Sequence, residues 1–102
     1  MRISFDIDGV LDTERGIELA KRLISRGEDV FIITARNERF NRDVYQIAEQ
    51  LNIPRLRVYF TNGADKWKTI KAVRIERHYD NNREQIDKIN LNTTAEGVLF
   101  EP

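Results

Sequence analysis

The segment Phe5-Asp6-Ile7-Asp8-Gly9-Val10-Leu11 sets two carboxylates two residues apart inside an apolar stretch. Residues two apart on an extended chain share a face, so Asp6 and Asp8 project to one side as the chain leaves a strand. The apolar neighbours place the pair beside the core, where a charge must be paired or must bind a metal ion. Asp80, in His78-Tyr79-Asp80-Asn81, offers a third oxygen ligand. Acids grouped in this way serve general acid–base catalysis and hold hard cations such as Mg2+. Of the three nearby lysines, Lys66 is set apart from Lys68 and Lys71 because it follows the turn-forming Asn62-Gly63 and opens a helix. Arg36 and Asn37 directly follow Thr34 at a strand end, where an Arg and an Asn can hold an anionic ligand. Arg39 and Arg42 read as the exposed face of a helix, His78 as a hydrogen-bonded strand residue and Trp67 as core packing.

The elements that must carry these residues alternate between short apolar runs and amphipathic segments, the pattern of a parallel sheet with helical crossovers. Ile3, Phe5 and Ile7 begin a strand that stops at the acidic pair. Ile17, Ala20, Leu23 and Ile24 then recur at helical spacing up to Gly27. Val30 to Thr34 is a continuous β-branched and aromatic run, as expected of a strand covered on both faces. Phe40, Val44, Ile47, Ala48 and Leu51 form one helical stripe that Asn52-Ile53-Pro54 ends. Leu56 to Phe60 reads as a third strand, Asp65 to Ala72 as a helix, and Ile75 to Tyr79 as a fourth strand. Arg83 to Ile89 reads as a last helix and Val98 to Phe100 as a last strand. A series of this kind binds ligands at the carboxyl ends of its strands, where strand order reverses. Asp6 and Asp8, Thr34, Thr61 and Asn62, and Asp80 all fall at such ends, so polar groups converge on one edge of the sheet.

Composition narrows the function classes. The 102 residues carry 17 Lys and Arg against 17 Asp and Glu, with no Cys. Leu, Ile, Val and Phe supply 30 of them, enough for one core, and residues 1–102 are expected to form a single domain. The absence of Cys excludes a disulfide framework and a thiolate metal site, and fits the cytoplasm. The amino-terminal residues lack the apolar stretch of a secretion signal and no run is long enough to span a bilayer, so no membrane role is expected. The even charge disfavours tight nonspecific binding of duplex nucleic acid.

The four motifs Phe5-Asp6-Ile7-Asp8-Gly9-Val10-Leu11, Ile32-Ile33-Thr34, Lys66 and His78-Tyr79-Asp80-Asn81, in this order, resemble those of the haloacid dehalogenase superfamily of phosphatases. The resemblance covers essentially the whole chain, and its first motif is the specific one. It implies a three-layer Rossmann-like α/β fold with a central parallel sheet of about five strands. Asp6 would be the nucleophile and Asp8 the general acid and base. Thr34 would hydrogen-bond the phosphoryl oxygens, Lys66 would offset their charge, and Asp80 would hold Mg2+ with Asp6 and the backbone carbonyl of Asp8. Two departures stand out. Asn81 occupies a position that is acidic in many members, removing one formal charge from the outer ligand set. Neither insertion point for a cap domain is used, which resembles the capless type, whose open sites take macromolecular phosphates or close by assembly.

The expected activity is therefore Mg2+-dependent hydrolysis of a phosphomonoester through an aspartyl phosphate, on a phosphorylated small molecule, a nucleotide or a nucleic-acid end. One alternative is a receiver-like phosphoacceptor domain, although the third strand runs into Tyr59-Phe60-Thr61-Asn62 without an acid. The other is a catalytically silent module that keeps the fold.

Overall fold

In the computed structural model, which describes residues 1–101, five strands form one all-parallel sheet in the order β3-β2-β1-β4-β5. They are β1 Arg2–Phe5, β2 Asp29–Thr34, β3 Val58–Phe60, β4 Arg77–Asp80 and β5 Glu96–Leu99. Four helices connect them: α1 Glu14–Ser25, α2 Arg42–Gln50, α3 Trp67–Val73 and α4 Arg83–Asn92. The chain runs outward from β1 through β2 to β3, then returns to place β4 on the other side of β1. Strand order therefore reverses between β1 and β4, and a crevice opens there at the carboxyl ends.

Side-chain alternation along the strands explains the three layers. Ile3, Phe5, Val30 and Ile32 face α1 and α2, where Ala20, Leu23, Val44, Ala48 and Leu51 meet them. Phe31 and Ile33 point the other way, toward Ile70 and Ile89 of α3 and α4. Because β2 carries both layers, its residues from Val30 to Thr34 are all buried, and this central strand reads as an uninterrupted apolar run. Ser4 and Asp6 fall on the α3/α4 face by the same alternation, and Ser4 is in register with His78 of β4.

The helix starts are set by local chemistry. Thr13 caps α1, its hydroxyl accepting from Gly16 N–H at 3.1 Å while donating to Val10 O at 2.6 Å. Asn82 caps α4 by accepting from the N–H groups of Glu84 and Gln85. Several boundaries differ from the sequence reading by a residue or two, as at α3, β4 and β5, and two differences leave a large apolar residue in solvent. Phe40 closes a separate short turn, Glu38–Phe40, that precedes α2, and it is 68% exposed instead of extending the helical stripe. Leu56 lies in a second short turn, Arg55–Arg57, so β3 begins at Val58 and Leu56 is 89% exposed. In both cases a residue with a fixed preference, Asn37 as a cap and Pro54 with its extended backbone, starts a turn that the apolar spacing does not reveal. No helix among the described residues is long and apolar enough to cross a membrane.

Candidate active site at the carboxyl edge of the sheet

The first link between β1 and α1 is a tight turn, Ile7–Leu11, in which Leu11 N–H donates to Asp6 O and Asp12 N–H to Ile7 O. Gly9 takes φ +78° in this turn and lies against Asn81 from the β4–α4 connection. A Cβ at position 9 would meet the Asn81 side-chain amide, which would have to move, and the left-handed φ itself favours glycine. The turn keeps Asp6 at the strand end and carries Asp8 two residues out.

Asp6 is buried, and Lys66, at the start of α3, reaches it from the opposite wall. Lys66 Nζ lies 2.9 Å from Asp6 Oδ1 and 2.6 Å from Asp80 Oδ2, bridging two buried carboxylates from neighbouring strands. Asp80 is engaged further. Its Oδ2 lies 2.9 Å from His78 Nε2, and its Oδ1 accepts the Asn82 N–H at 3.0 Å. His78 Nδ1 in turn stands 2.6 Å from Ser4 Oγ. Ser4, His78 and Asp80 are completely buried, and no buried side-chain polar atom among the described residues lacks a partner. The lysine is itself held in place by its backbone N–H, which donates to Gln85 Oε1 of α4 at 3.1 Å.

The electrostatics follow from two acids sharing one cation. Burial pushes Asp6 up from 3.8 to about 6; Lys66 opposes this and the Asp80 charge adds to it. Burial alone would also raise Asp80, but the His78 hydrogen bond and the Lys66 charge overcome it and hold Asp80 well below the usual carboxylate range. Burial lowers His78, so its ring is neutral at pH 7 despite the adjacent carboxylate. The group therefore carries a net negative charge facing a cleft.

That cleft, of 470 Å³, is lined by Asp6, Asp8, Gly9, Lys66, Asp80 and Asn81 together with the loop at Gly63. The larger cavity of 910 Å³ lies at the amino ends of the strands, beside Arg2, Ile75 and Ala95, away from these acids. Asp8 points outward, its side chain 59% exposed, into a bidentate pair with Arg36: Nη2 to Oδ1 at 2.6 Å and Nε to Oδ2 at 3.1 Å. Arg36 Nη1 donates to both oxygens of Asp43, each at 2.6 Å, and that bond, with the guanidinium charge, holds Asp43 below its ordinary value. Thr34 is buried, and its hydroxyl accepts the Arg36 N–H at 3.2 Å instead of lining the cleft. Asn37 caps the Glu38–Phe40 turn by accepting from Arg39 N–H.

Of the residues singled out in the sequence, Asp6, Asp8, Lys66 and Asp80 line one cleft, whereas Thr34, Arg36 and Asn37 lie behind or beside it. Lys68 is exposed over the Trp67 ring, and Lys71 is exposed on α3. Ser4, His78, Asp43 and Gln85 were not anticipated as parts of the site. For Ser4 and His78 a signal was present: Ser4-x-Asp6 and His78-x-Asp80 each put two polar residues on one face of a strand.

Among the described residues, no three His, Cys, Asp or Glu side chains gather as a metal cluster. The donor chemistry nonetheless suits a hard dication, because two buried carboxylates face the cleft with one lysine between them. Desolvation leaves Asp6 undercompensated, and an added cation relieves this. Compared with family models, with curated proteins and with solved structures, the chain gives no match.

Proposed function

We propose that this chain is a Mg2+-dependent phosphomonoester hydrolase of the capless haloacid dehalogenase type, working through an aspartyl phosphate on Asp6. The observation that carries the reading is the Lys66 ammonium held between Asp6 and Asp80 at the point where strand order reverses. A phosphate dianion cannot approach a carboxylate nucleophile unless positive charge offsets the repulsion. Lys66 supplies one such charge. Asp6, Asp80 and the Asp8 carbonyl would hold Mg2+, which when bound neutralises phosphoryl oxygens and orients them for in-line attack.

In the first half-reaction an Asp6 carboxylate oxygen forms a bond to phosphorus while the bond to the leaving oxygen breaks. Asp8 passes a proton to that oxygen. In the second, water attacks the phosphorus of the aspartyl phosphate, Asp8 takes the water proton, and the Asp6–phosphorus bond breaks to release phosphate. Arg36 and Asp43 serve this cycle by aiming Asp8, so Arg36 acts on the substrate through the acid that it holds. A nucleotide or a phosphorylated nucleic-acid end is the preferred substrate class, because the cleft is open and Phe40 and Arg39 are exposed on the same loop as Arg36.

The pairing of Asp8 with Arg36 also favours a second reading, a silent module in which Asp8 is permanently locked. The two are separated by phosphate release from p-nitrophenyl phosphate, nucleoside monophosphates and 3′- and 5′-phosphorylated oligonucleotides, with Mg2+ and with EDTA. Mg2+-dependent release that disappears in Asp6→Asn supports the hydrolase. No release by folded parent chain supports the silent module.

A further inference from the structure

His78 is a buried imidazole on the sheet face that also carries Ser4, in register with it, and the steps above make no use of it. Both of its nitrogens are engaged: Nε2 with Asp80 Oδ2 at 2.9 Å and Nδ1 with Ser4 Oγ at 2.6 Å. An ionised carboxylate only accepts hydrogen bonds, so Nε2 carries the proton of the neutral ring. Nδ1 is then the acceptor, and the Ser4 hydroxyl donates to it. The sheet register, which sets Ser4 opposite His78, builds this contact into the backbone.

The effect falls on Asp80. Its Oδ2 receives both His78 and Lys66, and its Oδ1 receives the Asn82 N–H. Three donors fix the plane of the carboxylate and leave one Oδ1 lone pair free. The His78 donor also shares the demand that Oδ2 places on Lys66, so that the ammonium can reach Asp6 at 2.9 Å as well. Without it, Oδ2 keeps only the Lys66 donor, and the Asp80 carboxylate is held less firmly.

We infer that His78, backed by Ser4, is a positioning residue that fixes the Asp80 carboxylate for Lys66 and for a divalent cation in the cleft. The inference rests on the proposed reading of that cleft as a cation-assisted phosphatase site. Outer partners of this kind typically change metal affinity or activity by about 10- to 100-fold when removed.

Because His78 is the sole histidine, long-range nitrogen–proton spectra of histidine-labelled protein report its tautomer directly, without metal or substrate. The expected spectrum shows a protonated Nε2 and an unprotonated Nδ1, with the Nδ1 resonance shifted in Ser4→Ala as its hydroxyl donor is lost. Calorimetric titration with Mg2+ forms the second arm. His78→Leu should bind Mg2+ about 10- to 100-fold more weakly. His78→Gln, whose amide N–H reaches toward the Nε2 position, should recover most of the parent affinity. Thermal unfolding confirms that each variant is folded, and Ser4→Ala serves if His78→Leu is not. An Nδ1–H tautomer, equal Mg2+ affinity in parent and His78→Leu, or no Mg2+ binding by the parent overturns the inference. Failure of the phosphatase reading shows separately, as absence of phosphate release from the parent, since neither arm depends on turnover.

Discussion

Replacing Asp6 by Asn should make the protein more stable while removing its activity. In the folded chain Asp6 ionises near pH 6 instead of 3.8, because burial outweighs the attraction of Lys66. That difference corresponds to about 3 kcal/mol of stability withheld by the ionised side chain at neutral pH. Asn is neutral, keeps an oxygen for the Lys66 ammonium, and leaves Lys66 and Asp80 as a matched pair 2.6 Å apart. The sign can be followed along the pH axis. Below pH 3.8 Asp6 is protonated in both folded and unfolded chains, so parent and variant differ little. Between pH 3.8 and about 6 the unfolded chain releases its proton first, the parent loses stability, and the gap opens; above about 6 it is constant. For a domain of this size, about 3 kcal/mol is on the order of 10 °C or more in Tm. Urea unfolding of both proteins at pH 4.0, 5.0, 6.0 and 7.5 measures the gap. A variant no more stable than the parent at pH 7.5, or a gap of the same size at pH 4.0, would refute the charge accounting of the site. Mg2+ should narrow the gap by stabilising the parent selectively.

The same geometry makes three further predictions. Lys66→Met leaves Asp6 and Asp80 buried without a cation and should cost about 3–5 kcal/mol at pH 7.5, less at pH 4 where Asp6 takes up a proton; urea unfolding at the two pH values checks it. Gly9→Ala meets both a positive φ and the Asn81 side chain, whereas Gly27→Ala meets a positive φ with nothing within 4 Å. The first should therefore lower stability and activity together, and the second should cost only about 1 kcal/mol with activity kept, as denaturant midpoints and kcat will report. Arg36→Ala releases Asp8 from its bidentate pair, so kcat should fall to a similar extent for a nucleotide and for p-nitrophenyl phosphate; a loss confined to nucleotides would return Arg36 to direct substrate contact.

Much of the architecture was legible in the sequence because burial on both faces leaves a plain mark. Val30 to Thr34 belongs to the central layer and is apolar throughout, and Val44, Ile47, Ala48 and Leu51 repeat at helical spacing because they cover one side of it. The acids were legible for a related reason: Asp6 and Asp8 interrupt an apolar run at a strand end, where a charge needs a purpose, and Asp80 falls at the end of a neighbouring strand. Phe40 and Leu56 show where spacing misleads. Each continues an apolar pattern arithmetically, yet a capping Asn37 and an extended Pro54 divert the chain before the pattern is completed. The pairing of Ser4 with His78 was out of reach for a different reason. Each alternates correctly with an acid on its own strand, but their pairing depends on the register between β1 and β4, strands separated by more than 70 residues. The Arg36–Asp43 contact likewise depends on how the loop after β2 folds back, which no local spacing encodes.

The account turns on Asp6 as the residue that receives the phosphoryl group. Its most direct test is to quench the parent chain during turnover with borohydride, which reduces an acyl phosphate to an alcohol, and to locate the modified residue by mass spectrometry. Conversion of Asp6 to homoserine, dependent on Mg2+ and on substrate, is the predicted result. Modification at Asp8 or Asp80 instead, or steady phosphate release with no residue modified, would contradict it.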